Sequence, residues 1–265
     1  MNPLTESQSK HIRELLRSAA IRRDSGEFVI EGPHLLEAAI EKATAQIEYA
    51  AFTLEASSRY PELMRQCDLH KLPLYSIPAK LASRVADTEE SQGIFAVMRM
   101  PAQSLTIQSD IVLALNGVQD PGNVGTIIRA AAWFGVKTIL LGEGTADPYA
   151  PKVIRSTQGS IFDIVLETKA ELTSRVRHLK GRGYRSFAAT LDEDATSLYE
   201  MPLPEKALLL LGSEAHGLNS ELSKLADEKI IIPRYGSGES LNVAMSAAIV
   251  LAEFRRRSGQ NMLPP

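Results

Sequence analysis

Apolar positions in residues 1–100 recur with helical spacing in some segments and form short strand-like runs in others. An amphipathic helix is predicted over residues 5–23, with Ile12, Leu15 and Leu16 on its apolar face. Strands are predicted at 27–30, 47–53, 74–77 and 93–99. Further helices are predicted at 34–42, 61–67 and 79–86. The alternation of strands and helices predicts a small α/β domain over residues 1–100.

The alternation continues in residues 110–265 with more strongly apolar strands. The uninterrupted apolar run at 207–211 is typical of a central parallel strand that is covered on both faces. The other predicted strands are 111–115, 137–141, 162–166, 185–191 and 229–232, and the predicted helices are 123–134, 151–158, 171–180, 219–226 and 241–256. This pattern predicts a second α/β domain over residues 110–265. A polar, proline-containing linker at 101–109 joins the two domains.

The composition is that of a folded protein of 265 residues, with 44% apolar and 23% charged residues. Because the net charge is −3, any site for nucleic acid must be a local basic patch. The single cysteine, Cys67, excludes an intrachain disulfide and a cysteine-based zinc site. The histidines lack the H-x-x-x-H spacing of common metal sites, so we expect no bound metal.

The first ten residues contain no apolar segment of the kind that directs export. The longest apolar stretch, residues 243–254, is interrupted by Ser246 and Glu253 and is too short to span a bilayer. We therefore expect a cytoplasmic protein.

Three glycine-rich turns follow predicted strands in the second domain. They read NGVQDPGNVGTIIR at 116–129, GSEAHGLN at 212–219 and PRYGSGESLN at 233–242. Each turn alone could be an ordinary strand-to-helix connection with a capping residue. Together they place polar loops at the carboxyl ends of strands in one sheet, where open parallel sheets bind ligands. The sequence therefore predicts one ligand site formed by the three turns.

The usual nucleotide-binding fingerprints are missing. No G-x-G-x-x-G follows a strand, and no G-x-x-x-x-G-K-[ST] occurs in the chain. A nucleotide- or NAD-dependent enzyme is therefore disfavoured.

The three turns resemble the three motifs of the SpoU (TrmH) family of RNA ribose 2′-O-methyltransferases, in the SPOUT superfamily. The Asn and Arg of the first motif correspond to Asn123 and Arg129. The second motif, G-x-E-x-x-G, corresponds to Gly212, Glu214 and Gly217. The third motif corresponds, in chain order, to Ile232, Pro233, Ser240, Leu241 and Asn242. Residues 23–32 also resemble the family's separate N-terminal substrate-binding domain, which is similar to the fold of ribosomal protein L30e.

This resemblance implies an L30e-like α/β domain followed by a SPOUT domain, a Rossmann-like parallel sheet whose C-terminal part is threaded into a trefoil knot. It implies S-adenosyl-L-methionine as the cofactor, held by Gly212, Gly217, Ile232, Pro233 and Leu241. It also implies a homodimer with the site near the subunit interface. The implied reaction is methylation of a ribose 2′-hydroxyl in structured RNA, with ribosomal RNA favoured over transfer RNA.

The resemblance implies five catalytic residues, which are Arg129, Asn123, Glu214, Ser240 and Asn242. Arg129 would hold the substrate phosphate and orient the hydroxyl, and the proton acceptor stays open because a guanidinium is almost always protonated. As alternatives, Arg129 could be a surface arginine paired with a carboxylate. Asn123, Ser240 and Asn242 could cap helices. Glu214 could be an exposed loop carboxylate.

Contacts to the substrate RNA are expected from basic and polar side chains outside the three turns. The candidates are Arg22, Arg23, Lys152, Arg155 and Ser156. Each arginine alone could also be a solvated surface charge.

Two other functions compete with a ribosomal RNA methyltransferase that the N-terminal domain directs to its target. One is a transfer RNA methyltransferase, and the other is an RNA-binding protein of the same fold without turnover. The latter is disfavoured because every catalytic position of the motifs is present. Binding of labelled S-adenosylmethionine would separate a nucleotide- or NAD-dependent enzyme from these functions. Methyl incorporation into RNA would separate a methyltransferase from the non-catalytic RNA-binding protein.

Overall fold

The computed structural model describes residues 1–86, 91–102, 107 and 109–258. The described residues of 1–102 include the strands β1 (Asn2–Pro3), β2 (Glu27–Glu31), β3 (Ile47–Phe52), β4 (Leu74–Ser76) and β5 (Ile94–Arg99). The helices of this part are α1 (Glu6–Arg17), α2 (Ala19–Ser25), α3 (Pro33–Ala43), α4 (Leu54–Arg59), α5 (Pro61–Leu69) and α6 (Ala79–Val85), with a 3-10 turn at Thr44–Gln46. Most of the predicted linker at 101–109 lies outside the described residues.

These strands form a mixed sheet in the order β1-β4-β3-β5-β2. Strand β5 pairs antiparallel with both β2 and β3, whereas β3 and β4 are parallel. Helix α1 buries Ile12, Leu15 and Leu16 in a core cluster that includes Val29 and Phe95 of the sheet. The apolar face predicted for this helix is therefore confirmed.

The predicted helix over 5–23 is wrong in one respect, because the chain forms two helices there. Ser18 is extended, with φ of −124° and ψ of 113°. Its hydroxyl accepts a hydrogen bond from the backbone N–H of Ile21, 3.3 Å away, and so caps α2. A serine that competes for backbone donors in this way ends one helix and begins the next.

Residues 109–258 form the second α/β series. Its strands are β6 (Ile111–Asn116), β7 (Thr138–Gly142), β8 (Val165–Ala170), β9 (Arg185–Ala189), β10 (Thr196–Ser197), β11 (Ala207–Gly212) and β12 (Glu228–Ile231). Its helices are α7 (Pro121–Trp133), α8 (Pro151–Thr157), α9 (Leu172–Gly181), α10 (Ser220–Leu225) and α11 (Val243–Ser258), with a 3-10 turn at Ser160–Asp163.

The strands of this series form a parallel sheet in the order β10-β12-β9-β11-β6-β7-β8, which confirms the predicted fold class. Val112 and Leu208 share a core cluster with Val176 of α9 and Leu222 of α10. Successive strand residues point to opposite faces, and the intervening Leu113 and Leu209 are also buried. Both faces of the central strands are therefore covered.

The strand predicted at 162–166 begins too early. Residues 160–163 form a 3-10 turn, in which the N–H of Phe162 donates to the carbonyl of Gly159, 3.3 Å away. Pairing with β7 begins only at Val165. The apolar run alone did not distinguish the turn from the strand.

By internal packing the chain divides into two compact units. Unit 1 contains Met1–Ala102 together with Asp147–Phe162, and unit 2 contains the described residues of 103–146 and 163–265. Helix α8 packs on β2 within unit 1. The segment 147–162 therefore belongs by sequence to the second α/β series and by packing to the first unit.

Candidate active site

The three glycine-rich turns of unit 2 begin at one edge of the parallel sheet. Strands β6 and β11 run in register up to the pair Asn116 and Gly212, so the first two turns start side by side. Strand β12 lies in the same parallel sheet and leads into the third turn. Because parallel strands end at the same edge, the three turns meet there, as the sequence predicted.

The second turn closes on itself through backbone hydrogen bonds. The N–H of Ser213 donates to the carbonyl of Gly217, 3.1 Å away, and the N–H of Gly217 donates back to the carbonyl of Ser213, 2.8 Å away. A Cβ atom at Gly212 would lie 2.0 Å from the carbonyl carbon of Gly217. Only glycine therefore fits at position 212 while this turn keeps its shape.

A cavity of about 810 Å³ lies between the second and third turns. Its lining includes all five residues predicted to hold the cofactor, which are Gly212, Gly217, Ile232, Pro233 and Leu241. Glu214 and Ser240 line it as well. The volume is within the range of pockets that enclose small organic ligands, roughly 300–1,000 Å³.

The wall of this cavity also includes residues 189–192, which the sequence-based prediction missed. They comprise the last residue of β9, the strand between β11 and β12, and the three residues after it, so their position at a strand end was the available signal. Asp192 is held there by Lys229, with 2.9 Å between its Oδ2 and the lysine Nζ. Hydrogen bonding to Lys229 lowers the pKa of Asp192 below its ordinary value.

A chain of hydrogen bonds joins the three turns. The Nδ2 of Asn242 donates to the Oδ1 of Asn123 at 2.9 Å. The Nδ2 of Asn123 in turn donates to the Oε1 of Glu214. Each asparagine is thereby fixed in one amide orientation. One residue from each motif is held in a single network.

Asn123 and Asn242 were also candidate helix caps, and the structure separates their roles. The side chain of Asp120 accepts from the N–H of Asn123 at 2.9 Å and caps α7. This leaves the Asn123 side chain for the network. At α11, the Oδ1 of Asn242 accepts from the N–H of Ala244 at 2.9 Å, so Asn242 combines capping with its bond to Asn123.

Arg129 lies on the exposed surface of α7 and makes no hydrogen bond or ion pair with any residue that the structure describes. Helical side chains lean towards the N-terminus of their helix, which for α7 is the end near Asn123. Ser240 is likewise exposed in the third turn. The alternative that Arg129 pairs with a neighbouring carboxylate does not occur within the described part of the chain.

The residues expected to contact RNA lie in unit 1. Lys152, Arg155 and Ser156 are on α8, and Arg23 is exposed on α2. Arg22 differs from the prediction, because it is only 4% exposed. Its guanidinium is occupied by Asp147 and by the backbone carbonyl of Leu15. An arginine with these partners is not available to a phosphate in this arrangement.

Among the described residues no group of three or more His, Cys, Asp or Glu side chains is arranged to hold a metal ion. No described helix has both the length and the apolar character needed to cross a membrane.

Comparison with known families agrees with the geometry of the turns. The model of the SpoU rRNA Methylase family matches residues 110–252, which is more than half of the chain. The chain belongs to the SpoU rRNA methylase family. The MRM3-like substrate binding domain matches residues 7–96 of this SpoU methylase. The predicted family and the predicted class of enzyme, a methyltransferase, are both confirmed.

Several known proteins resemble this SpoU methylase over nearly their full length. The 23S rRNA (guanosine(2553)-2′-O)-methyltransferase RlmP of Bacillus subtilis is 35% identical over 88% of this chain and 90% of its own. A TrmH-family structure from Porphyromonas gingivalis is 33% identical, with a TM-score of 0.85 over 96% of this chain and 99% of its own. The AdoMet-bound rRNA methyltransferase of Sinorhizobium meliloti is 26% identical, with a TM-score of 0.82 over 97% of each chain. The structural neighbours and the two family matches confirm the predicted fold class, a parallel-sheet α/β methyltransferase preceded by a substrate-binding domain.

Proposed function

We propose that this SpoU methylase transfers a methyl group from S-adenosylmethionine to a ribose 2′-hydroxyl of 23S ribosomal RNA. The observation that carries the proposal is the cavity lined by all five expected cofactor residues, beside the network that joins Asn123, Glu214 and Asn242. The activity named for the Bacillus subtilis relative and the AdoMet bound in the Sinorhizobium meliloti structure support it.

The cavity residues fit S-adenosylmethionine. Gly212 and Gly217 present backbone groups without side chains, while Ile232, Pro233 and Leu241 supply apolar walls. Such a lining suits a ligand that is held by backbone hydrogen bonds and apolar contact. The bound cofactor supplies an electrophilic methyl on a sulfonium. The methyl acceptor must then be oriented by side chains of the first and third turns.

Arg129 is proposed to hold the substrate phosphate and to orient the 2′-hydroxyl. Its guanidinium is exposed and has no hydrogen bond to a described residue, so its donors are available to a phosphate. Arg129 acts by positioning and by its positive charge. Ser240 and the Asn123–Glu214–Asn242 network are proposed to hold the ribose in line with the methyl group.

RNA is proposed to be selected by the N-terminal domain over residues 1–100, which is joined by the linker at 101–109 to the methyltransferase domain at 110–265. The two family matches, at 7–96 and 110–252, support this division. Arg23, Lys152, Arg155 and Ser156 are the proposed RNA contacts. A ribosomal RNA substrate in turn supports a cytoplasmic location.

A homodimer is proposed as the working unit. Trp133, at the end of α7, is 84% exposed, and Met245, in the first turn of α11, is 59% exposed. Helices α7 and α11 pack against each other. The resemblance to the family implies this dimer, and exposed apolar side chains such as these are candidate contacts for the second chain.

The decisive experiment measures transfer of labelled methyl from S-adenosylmethionine to an unmethylated 23S ribosomal RNA transcript, followed by mapping of the modified ribose. The expected product is one 2′-O-methylated nucleotide in this transcript. Transfer to transfer RNA alone would support the transfer RNA alternative. Cofactor binding without transfer to either RNA would support a non-catalytic RNA-binding protein.

A further inference from the structure

Arg22 is a buried cation inside unit 1. Its side chain is 5% exposed, and that of Asp147 is 24% exposed. Two guanidinium nitrogens donate to one carboxylate oxygen, with 2.9 Å from Nε and 2.7 Å from Nη2 to the Oδ2 of Asp147. The third nitrogen, Nη1, donates to the carbonyl of Leu15 at 2.5 Å. All three guanidinium nitrogens are therefore used within the protein.

Asp147 also shapes the turn that leads into α8. Its second oxygen, Oδ1, accepts from the N–H of Tyr149 at 3.0 Å. Its backbone carbonyl accepts from the N–H of Ala150 at 3.0 Å, immediately before Pro151 begins the helix. The same carboxylate therefore binds α2 on one side and sets the start of α8 on the other.

Packing holds both ends of the segment 147–162. At its beginning, the ring of Tyr149 is 4% exposed and lies 4.9 Å from the ring of Phe28, between centroids. At its end, Gly159 has a φ of +84°, and a Cβ atom there would lie 2.7 Å from the Cβ of Ala38 on α3. The segment is thus held between two fixed contacts, with α8 in the middle.

A buried ion pair is a poor source of net stability, because removing two charges from water offsets most of their attraction. Such a pair does specify one position, since either charge left without the other is unfavourable. Here the position specified is that of α8, which carries Lys152, Arg155 and Ser156.

We propose that Arg22 and Asp147 are positioning residues that hold α8 in the one placement in which its polar side chains bind substrate RNA. This inference rests on the proposed function. Neither residue touches the RNA, and neither takes part in methyl transfer. Their contribution is to RNA affinity.

The test compares two full-length variants, Asp147→Asn and Arg22→Met, with the wild type. Asp147→Asn removes the charge and keeps the size of the side chain, so it serves if Arg22→Met does not fold. In both variants we expect the KM for the 23S ribosomal RNA transcript to rise about tenfold, with kcat and the Kd for S-adenosylmethionine within about twofold of wild type. Amide hydrogen exchange in α8 should become faster in the same variants.

Arg65→Met is the matched control, because it breaks an exposed arginine–carboxylate pair, Arg65 with Glu62, in the same unit. Its KM for the 23S ribosomal RNA transcript and its amide hydrogen exchange in α8 should match those of the wild type. A variant whose KM stays at the wild-type value while its Tm falls would overturn the inference, since the pair would then be structural only. Unchanged exchange in α8 overturns it whatever the activity. By contrast, a wild type that methylates no RNA contradicts the proposed function.

Discussion

Arg129 is the residue whose substitution separates chemistry from folding, because it is exposed and has no hydrogen bond to a described residue. In Arg129→Ala we expect the free energy of unfolding to change by less than about 0.5 kcal/mol. Cofactor affinity should be retained, while kcat falls by about 100-fold or more because the phosphate and hydroxyl are no longer held. Single-turnover methyl transfer measures the change in rate, and isothermal titration measures the cofactor affinity.

Arg177→Ala, at an exposed arginine of α9, is the control and should resemble wild type. Wild-type activity in Arg129→Ala would exclude the proposed role.

The direction of the hydrogen bond between Asn123 and Glu214 can be reversed by substitution. This tests whether the bond holds the catalytic side chains in place. Asn123→Asp removes the donor and brings two carboxylates together, so we expect methyl transfer to fall by about tenfold or more. Adding Glu214→Gln to this variant supplies a donor from the other side, and the double variant should recover much of the lost activity. No recovery would mean that the Glu214 carboxylate is itself needed for the reaction.

At the scale of the turn, Gly212 decides whether the second motif keeps its shape. A Cβ atom there would meet the backbone of Gly217, which cannot move as a flexible side chain could. We expect Gly212→Ala to weaken S-adenosylmethionine binding by about tenfold or more, as read by titration calorimetry. Gly181→Ala is the control, since nothing lies within 4 Å of its added Cβ. Wild-type affinity in Gly212→Ala would show that the turn adapts.

The ends of α7 and α11 are tied to the start of β6 by Arg255. Its Nη1 lies 2.5 Å from the Oδ2 of Asp110, and its Nε donates to the carbonyl of Phe134 at 2.5 Å. Burial alone would raise the pKa of Asp110, but hydrogen bonds and the positive charge of Arg255 outweigh burial and hold that pKa below its ordinary value.

This tie predicts a pH-dependent loss of stability in Arg255→Met. A carboxyl whose pKa is lowered by folding stabilises the protein above its unfolded pKa, about 3.9, and the effect is lost as the pH falls through the folded value. At neutral pH we expect the variant to be less stable by roughly 1–3 kcal/mol. The difference in free energy of unfolding between wild type and variant should become smaller as the pH falls below about 4. Urea unfolding across this pH range measures it, and a difference independent of pH would contradict the assignment.

For the whole molecule, the proposed homodimer makes a prediction about mass. Sedimentation should give twice the chain mass of 28.9 kDa, and Trp133→Gln should shift the equilibrium towards monomer because it removes an exposed apolar contact. Leu69→Gln is the control, since Leu69 is also an exposed apolar residue but lies on α5 of unit 1. A wild type that is monomeric at every concentration would exclude the dimer.

The trefoil knot implied by the family stays a prediction.

Local pattern was sufficient for the α/β class, for most strands and helices, and for the three turns that meet at the sheet edge. Those features depend on side-chain spacing and on glycine at particular bends, and both can be read within a few residues. Spacing did not reveal the break at Ser18 or the 3-10 turn before β8, where one hydrogen bond decides between two backbone paths.

Pairings between distant residues depended on how the chain folds back on itself. Asn123 meets Glu214 across 91 positions and Asn242 across 119, and Arg22 meets Asp147 across 125. From the amino-acid sequence alone, an arginine is equally able to bind a phosphate or a buried carboxylate. The tertiary structure decides between these two roles. Arg22 is buried away from water and pairs with Asp147, whereas Arg129 lies exposed to solvent.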